Sequence, residues 1–109
     1  MAEPTLQQVF GASASQTATT LTITKADLLR LTASASNTAE QLLSGILLTA
    51  QSYLTQANFD ANINQSIVIS NGYSSMTTRG TDNAAYRSDQ LTVSLSKVDT
   101  QSVIDPDDY

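Results

Sequence analysis

The chain of 109 residues contains no cysteine and no histidine. The first absence excludes disulfides and thiol chemistry and leaves the redox compartment unread. The second removes the usual zinc ligand and the commonest general base, and with them every Ser-His-Asp or Cys-His arrangement. No run approaches the roughly eighteen apolar residues that a membrane-spanning helix needs, so no membrane partner is expected. Met1-Ala2-Glu3-Pro4 carries neither a basic nor an apolar leader region, and no secretory signal is expected. Charge is also scarce. Charged residues are 14% of the chain, with two Lys (Lys25, Lys97) and two Glu (Glu3, Glu40), where an ordinary soluble domain is about a quarter charged.

Ser, Thr, Asn and Gln take the place of the missing charges and make up 44 residues. Protein interfaces are depleted in Lys and Glu, because ordering a long side chain and stripping water from its charge both cost free energy. Short hydroxyl and amide groups hydrogen-bond adaptably at lower ordering cost. The composition therefore predicts a surface that tolerates contact over much of its area. The remaining charge is uneven: residues 1–88 carry a net −1, and residues 89–109 a net −4. That is an acidic end on a near-neutral body. No cluster of bases exists to release phosphate counterions, so direct nucleic-acid binding is not expected.

Along the chain, Pro4 stands at a first helical position and Gly11 just past a helix end, with Leu6, Val9 and Phe10 on one face of the turn between them. Seven residues do not hold a helix in water alone. This face must dock, either on the protein's own core or on a neighbouring chain. Ala12–Thr20 has no large apolar residue and reads as an extended linker, so residues 1–18 form an N-terminal arm. Thr20–Thr24 alternates as a half-buried strand with Leu21 and Ile23 inward. Thr24 and Asp27 resemble a capping box opening one helical turn through Leu28 and Leu31. Residues 32–36 read as a connector.

Residues 38–57 carry the strongest pattern, with Ala39, Leu42, Leu43, Ile46, Ala50, Tyr53, Leu54 and Ala57 at helical spacing and Leu47 widening the stripe. Asn37 is the expected cap, Glu40 its partner, and Asn58 the left-handed residue that ends the helix. Burying the five large aliphatic residues of this face is worth about 10 kcal/mol before entropy is subtracted. Residues 59–65 read as a loop or poor strand. Ser66–Ser70 and Leu91–Leu95 read as strands. A turn at Asn71-Gly72 would fold Ile67–Ser70 onto Tyr73–Met76. The alternative is one long hairpin with its tip at Gly80–Asp82, setting Ile67 opposite Leu95, Ile69 opposite Val93 and Met76 opposite Tyr86. Cross-strand energetics favour the long hairpin, with Asn71-Gly72 as a bulge. Its distal half, Ser74 to Ser88, would project as a polar ribbon.

The fold class expected is α+β: a small antiparallel sheet with a long hairpin, packed on one main helix. A single domain over 19–98 is flanked by the arm and by an acidic tail over 99–109. Asp105, Asp107 and Asp108 lack the turn glycine and closing Glu of a calcium loop, so they are expected to be solvated or to meet a basic partner, together with Tyr109. No two of Asp27, Glu40, Asp60 and Asp82 are singled out as a glycosidase pair, and a chain this short rarely encloses a substrate cleft. No enzyme activity, cofactor or metal is expected. Arg79 and Arg87 read either as surface ion-pair members or as anchors between subunits.

This layout, carried by Pro4–Phe10, Ala12–Thr20, Thr77–Arg87 and Asp105–Tyr109, resembles the small structural proteins of tailed-phage virions, of the capsid decoration (cement) or head–tail completion type. The resemblance implies multivalent assembly in the host cytoplasm and many copies per particle. Its partners would be the major capsid protein or neighbouring subunits, including copies of the chain itself, and it would perform no catalysis. Leu6, Val9, Phe10, Arg79, Arg87, Asp105, Asp107, Asp108 and Tyr109 are the candidate contact residues. Two other placements remain: a neck or tail protein, and a soluble adaptor that binds a basic partner through the acidic end.

Overall fold

A computed structural model describes residues 3–98 and 103–109. It is an α+β fold with three short-to-medium helices and two antiparallel strand pairs, the larger a long hairpin. Helix α1 (Leu6–Phe10) opens on a reciprocal capping box: Thr5 Oγ1 accepts the Gln8 amide at 3.1 Å, and Gln8 Oε1 accepts the Thr5 amide at 2.8 Å. Pro4 therefore lies before the cap and not inside the first turn. Gly11 ends the helix at φ 114°, a conformation that disfavours any side chain, and a Cβ there would sit 2.8 Å from Asp27 Cβ. Asp27 in turn accepts the Ser13 amide at 2.9 Å. The end of α1 is thus held against the Lys25–Asp27 turn.

The expected linker is partly ordered. Ser15–Gln16 (β1) pairs with Leu21–Thr22 (β2), around a turn closed by the hydroxyls of Thr17 and Thr20 at 2.7 Å. Ala14, just before β1, is buried. The strand expected over Thr20–Thr24 is only two residues long and leaves Leu21 exposed. The capping box expected at Thr24 is absent: Lys25–Asp27 is one 3-10 turn with no side-chain cap, because the Asp27 amide donates to the Thr24 carbonyl at 3.0 Å and the Asp27 carboxylate is committed to Ser13.

Helix α2 spans Ala39–Tyr53, shorter at its C-terminal end than expected. Its cap is Thr38 with Gln41, both bonds at 3.1 Å, and not Asn37 with Glu40. Asn37 instead donates to the Thr32 carbonyl at 3.0 Å and to Gln41 Oε1 at 3.1 Å, closing the preceding loop. At the other end Leu54 (ψ 59°) leaves the helix, and Thr55 caps a second helix, α3 (Gln56–Ala61). Residues 59–61 are therefore helical, where a loop or poor strand was expected. Asn58 does help to end α2, by another route: from inside α3 its side-chain amide donates to the Tyr53 carbonyl at 2.7 Å.

Strands β3 (Ile67–Arg79) and β4 (Ala84–Leu95) form the long hairpin, with Ile67 opposite Leu95 and Ile69 opposite Val93 as the apolar matching predicts. Between Asn71 and Ser74 the register shifts, so that β3 carries one extra residue. That insertion moves every distal pair by one, and Met76 faces Arg87 where Tyr86 was expected. The tip turn spans Gly80 to Asn83, both with positive φ (82° and 52°).

The core is small. Ala50, Leu54 and Ile69 form its centre, with Val9, Tyr53, Ile67 and Leu91 packed around them. α1 lies against α2, and both α2 and α3 lie against β3. On its other side α2 approaches residues 28–31 through Gly45, where a Cβ would lie 3.2 Å from Leu28 Cβ. There Thr49 Oγ1 accepts the Leu29 amide at 2.8 Å and donates to the Gly45 carbonyl at 2.7 Å. Leu43, expected on the buried stripe, is 56% exposed. The buried face runs through Gly45, Thr49 and Ala50 instead.

Candidate interaction surface

The molecule extends 50 × 33 × 26 Å, with a radius of gyration of 16.6 Å, against about 13 Å for a compact domain of this length. Its accessible surface is 8003 Å², where a monomer of this mass exposes about 5,800 Å². The excess, about 2,000 Å², exceeds what one partner contributes to two interfaces of standard size, at about 800 Å² each. Most of the elongation comes from one element. Every residue from 70 to 90 is exposed, because beyond the bulge the ribbon has left the helices behind. A lone two-stranded ribbon is at best marginally stable in water.

On this ribbon, directly opposed residues share a face. One face carries Ser74, Met76, Arg87 and Asp89; the other carries Ser75, Thr77, Tyr86 and Ser88. The Arg87 Nε donates to Asp89 Oδ1 at 2.8 Å, and the Ser74 hydroxyl donates to the same oxygen at 2.7 Å. These bonds, the Ser74 hydroxyl first and the Arg87 guanidinium second, hold the Asp89 carboxyl below its ordinary pKa. The Arg79 guanidinium lies 5.1 Å from the centre of the Tyr86 ring. Both arginines thus have exposed intrachain partners, of the kind worth little to stability alone. Tyr73 at the bulge (85% exposed) and Met76 add apolar surface that the sequence reading did not single out. Ile63, after α3, is 95% exposed.

A second cluster forms at the opposite end. Val9 and Phe10 of α1 line a cleft of about 230 Å³ with Leu54, Ile67 and the terminal residue Tyr109. Val9 also belongs to the layer around the core, so within one chain the apolar face of α1 packs inward. Leu6, on the same helix, is half-buried. Tyr109 reaches this place because Pro106–Asp108 is a 3-10 turn, capped by the Asp105 carboxylate, which accepts the Asp107 amide at 3.0 Å. Asp108 accepts from Lys97 Nζ at 3.2 Å, and the same ammonium donates to the Val103 carbonyl. Of the three candidate aspartates, Asp105 is committed to the cap and Asp108 to the ion pair, and Asp107 is exposed. Part of the expected tail, residues 99–102, lies outside the described residues.

The structure therefore divides the nine candidate contact residues into two groups. Arg79 and Arg87 stand on the projecting ribbon; Val9, Phe10 and Tyr109 converge at the base, with Leu6 and the three aspartates nearby. Among the described residues no three acidic, His or Cys side chains come together as a metal site, and no helix is long and apolar enough to cross a membrane. Comparison with family models, curated proteins and solved structures found no match to this chain.

Proposed function

We propose that the chain is a non-enzymatic assembly protein of a virion, a decoration protein that lies across the shell and stabilises it by contacts with several neighbours. The observation that carries this reading is the ribbon of residues 70–90, exposed throughout and attached to a body in which, among the described residues, six apolar side chains are buried (Ala14, Leu28, Ala50, Leu54, Val68 and Ile69). A domain with so little interior and about 2,000 Å² of surplus surface gains most by burial against other proteins. The few long charged side chains lower the cost of that burial. The virion setting rests on the architectural resemblance to small tailed-phage structural proteins, and the shell is preferred to the neck or tail because a projecting ribbon exposed along its length suits a lattice of repeated contacts. The adaptor alternative is less favoured, since Lys97 and the Asp105 cap already occupy two of the three acidic side chains it would need.

Gradient sedimentation of a lysate from the native source, with the chain quantified across fractions by mass spectrometry, tests the proposal. The chain should peak with filled particles, in many copies per particle. Confinement to the slowest fractions would overturn it.

A further inference from the structure

The hairpin has two outer edges, and they differ. On β3 the Ile69 amide turns away from β4 and donates to the Leu54 carbonyl at 2.9 Å, and the Ile67 carbonyl accepts from Gln65 Nε2 at 2.8 Å. The base of that edge is taken. Because Ile69 points its backbone outward, its opposite residue Val93 does too; the Ser96 amide, which donates inward to Ser66 at 2.8 Å, confirms the alternation. The backbone groups of residues 85, 87, 89, 91, 93 and 95 therefore face away from β3. Among the described residues no hydrogen bond to these groups is found. β4 presents a regular open edge of twelve residues with no bulge and no proline, a template for another strand.

The charges on this edge say which strand. Only two charged residues lie on β4, Arg87 and Asp89, and they bracket Ser88. Rotate a second copy about a two-fold axis through Ser88 and the strands run antiparallel with Arg87 opposite Asp89 of the second copy, twice over. Leu91 then meets Ala85, Tyr86 meets Gln90, and the outward-facing backbone groups oppose one another as a hydrogen-bonded ladder requires. Moving the axis by one residue either way sets Asp89 against Asp89 or Arg87 against Arg87, and like charges directly opposite are destabilising. An axis through Val93 would match Leu91 with Leu95. It overlaps only the five strand residues 91–95, though, and sets the rest of the second strand against residues past the end of β4, where no strand continues among the described residues.

We propose that β4 pairs with β4 of a second copy of this chain about a two-fold axis at Ser88, giving a four-stranded sheet in the order β3-β4-β4-β3. The pairing stands on the strand edge and does not depend on the virion reading: a chain that sediments with particles yet stays single in solution would lose this inference alone. The absence of native cysteine makes the test clean. Ser88 is exposed, and across the axis it forms a non-hydrogen-bonded pair with Cα atoms about 4.5 Å apart, within disulfide range. Under mild oxidation Ser88→Cys should become a covalent dimer, while Ser75→Cys, also exposed but on β3, should remain single. Light scattering should show the wild type as a dimer. Arg87→Asp and Asp89→Arg should each weaken dimerisation about tenfold or more, since two attractive pairs become repulsive. An equimolar mixture of these two variants should associate again, every cross-pair being attractive. A single-chain wild type, equal cross-linking of Ser75→Cys, dimerisation through Val93→Cys in place of Ser88→Cys, or failure of the mixture to recover would each overturn the proposal.

Discussion

Thr49 offers the sharpest test of how the body is held together. Its hydroxyl is the acceptor for the Leu29 amide and joins α2 to residues 28–31 at the place where Gly45 lets the two approach. Thr49→Val keeps the shape and the branched Cβ but removes the oxygen. The Gly45 carbonyl loses little, because a helical carbonyl still takes its backbone partner. The Leu29 amide loses its acceptor, and a buried donor left unsatisfied costs about 1–3 kcal/mol. Leu29 itself is 41% exposed and the bond is part-buried, which points to the lower half of that range, about 1.5 kcal/mol, and at roughly 4–8 °C per kcal/mol in a domain of this size Tm should fall by about 6–12 °C. Thr49→Ser keeps both bonds and loses one methyl group, a cost of about 0.8 kcal/mol. Thermal unfolding by circular dichroism should therefore rank wild type above Thr49→Ser above Thr49→Val. A Thr49→Val protein that melts with wild type, or above Thr49→Ser, would refute the assignment of this bond as a tie between the two segments.

Leu54→Ala should cost about 2–5 kcal/mol, because it removes a buried side chain from the cluster with Ala50 and Ile69; Leu43→Asp, on the exposed side of α2, should change stability by less than about 0.5 kcal/mol in urea unfolding. Reversal of that order would place the buried face wrongly. Gly11→Ala should destabilise by about 1–3 kcal/mol through positive φ and collision with Asp27, and unfolding at the wild-type urea midpoint would contradict it. Asp89 should titrate below 3.8 by carboxyl NMR. A depressed carboxyl contributes stability above its unfolded pKa that is lost as pH falls through the folded value, so the ribbon contact should persist at neutral pH and fade only in acid below 3.8. Ser74→Ala should raise the midpoint; no movement would deny the hydroxyl its part.

The base of the hairpin was legible because Ile67, Ile69, Val93 and Leu95 can be matched apolar to apolar in only one register, and the bulge at Asn71-Gly72 was visible as turn chemistry within a strand. The distal register was not, since a ribbon polar on both faces leaves pairing weakly specified, and one inserted residue decides it. The helix of residues 39–53 was plain in its periodicity, yet its seam was misplaced by reading for large side chains. Gly45 and Thr49 look like the solvent face, and they are buried because their smallness admits residues 28–31. Thr55 could have been read as a second cap; an uninterrupted apolar stripe through Ala57 concealed it. The return of the C-terminal residues to Lys97 and to α1 has no local signature, because an ion pair 11 positions apart leaves no periodic trace. The candidate contact residues were found as types, Arg among polar residues and aspartates at an end, but their division between ribbon and base belongs to the tertiary fold.

The central claim is that the surplus surface of this chain is contact surface, and a density map of the native assembly at side-chain resolution tests it most directly. Residues 70–90 should be covered on at least one face by neighbouring chains, with Tyr73 and Met76 against protein. A map in which the ribbon stands free in solvent around its whole length would contradict the account.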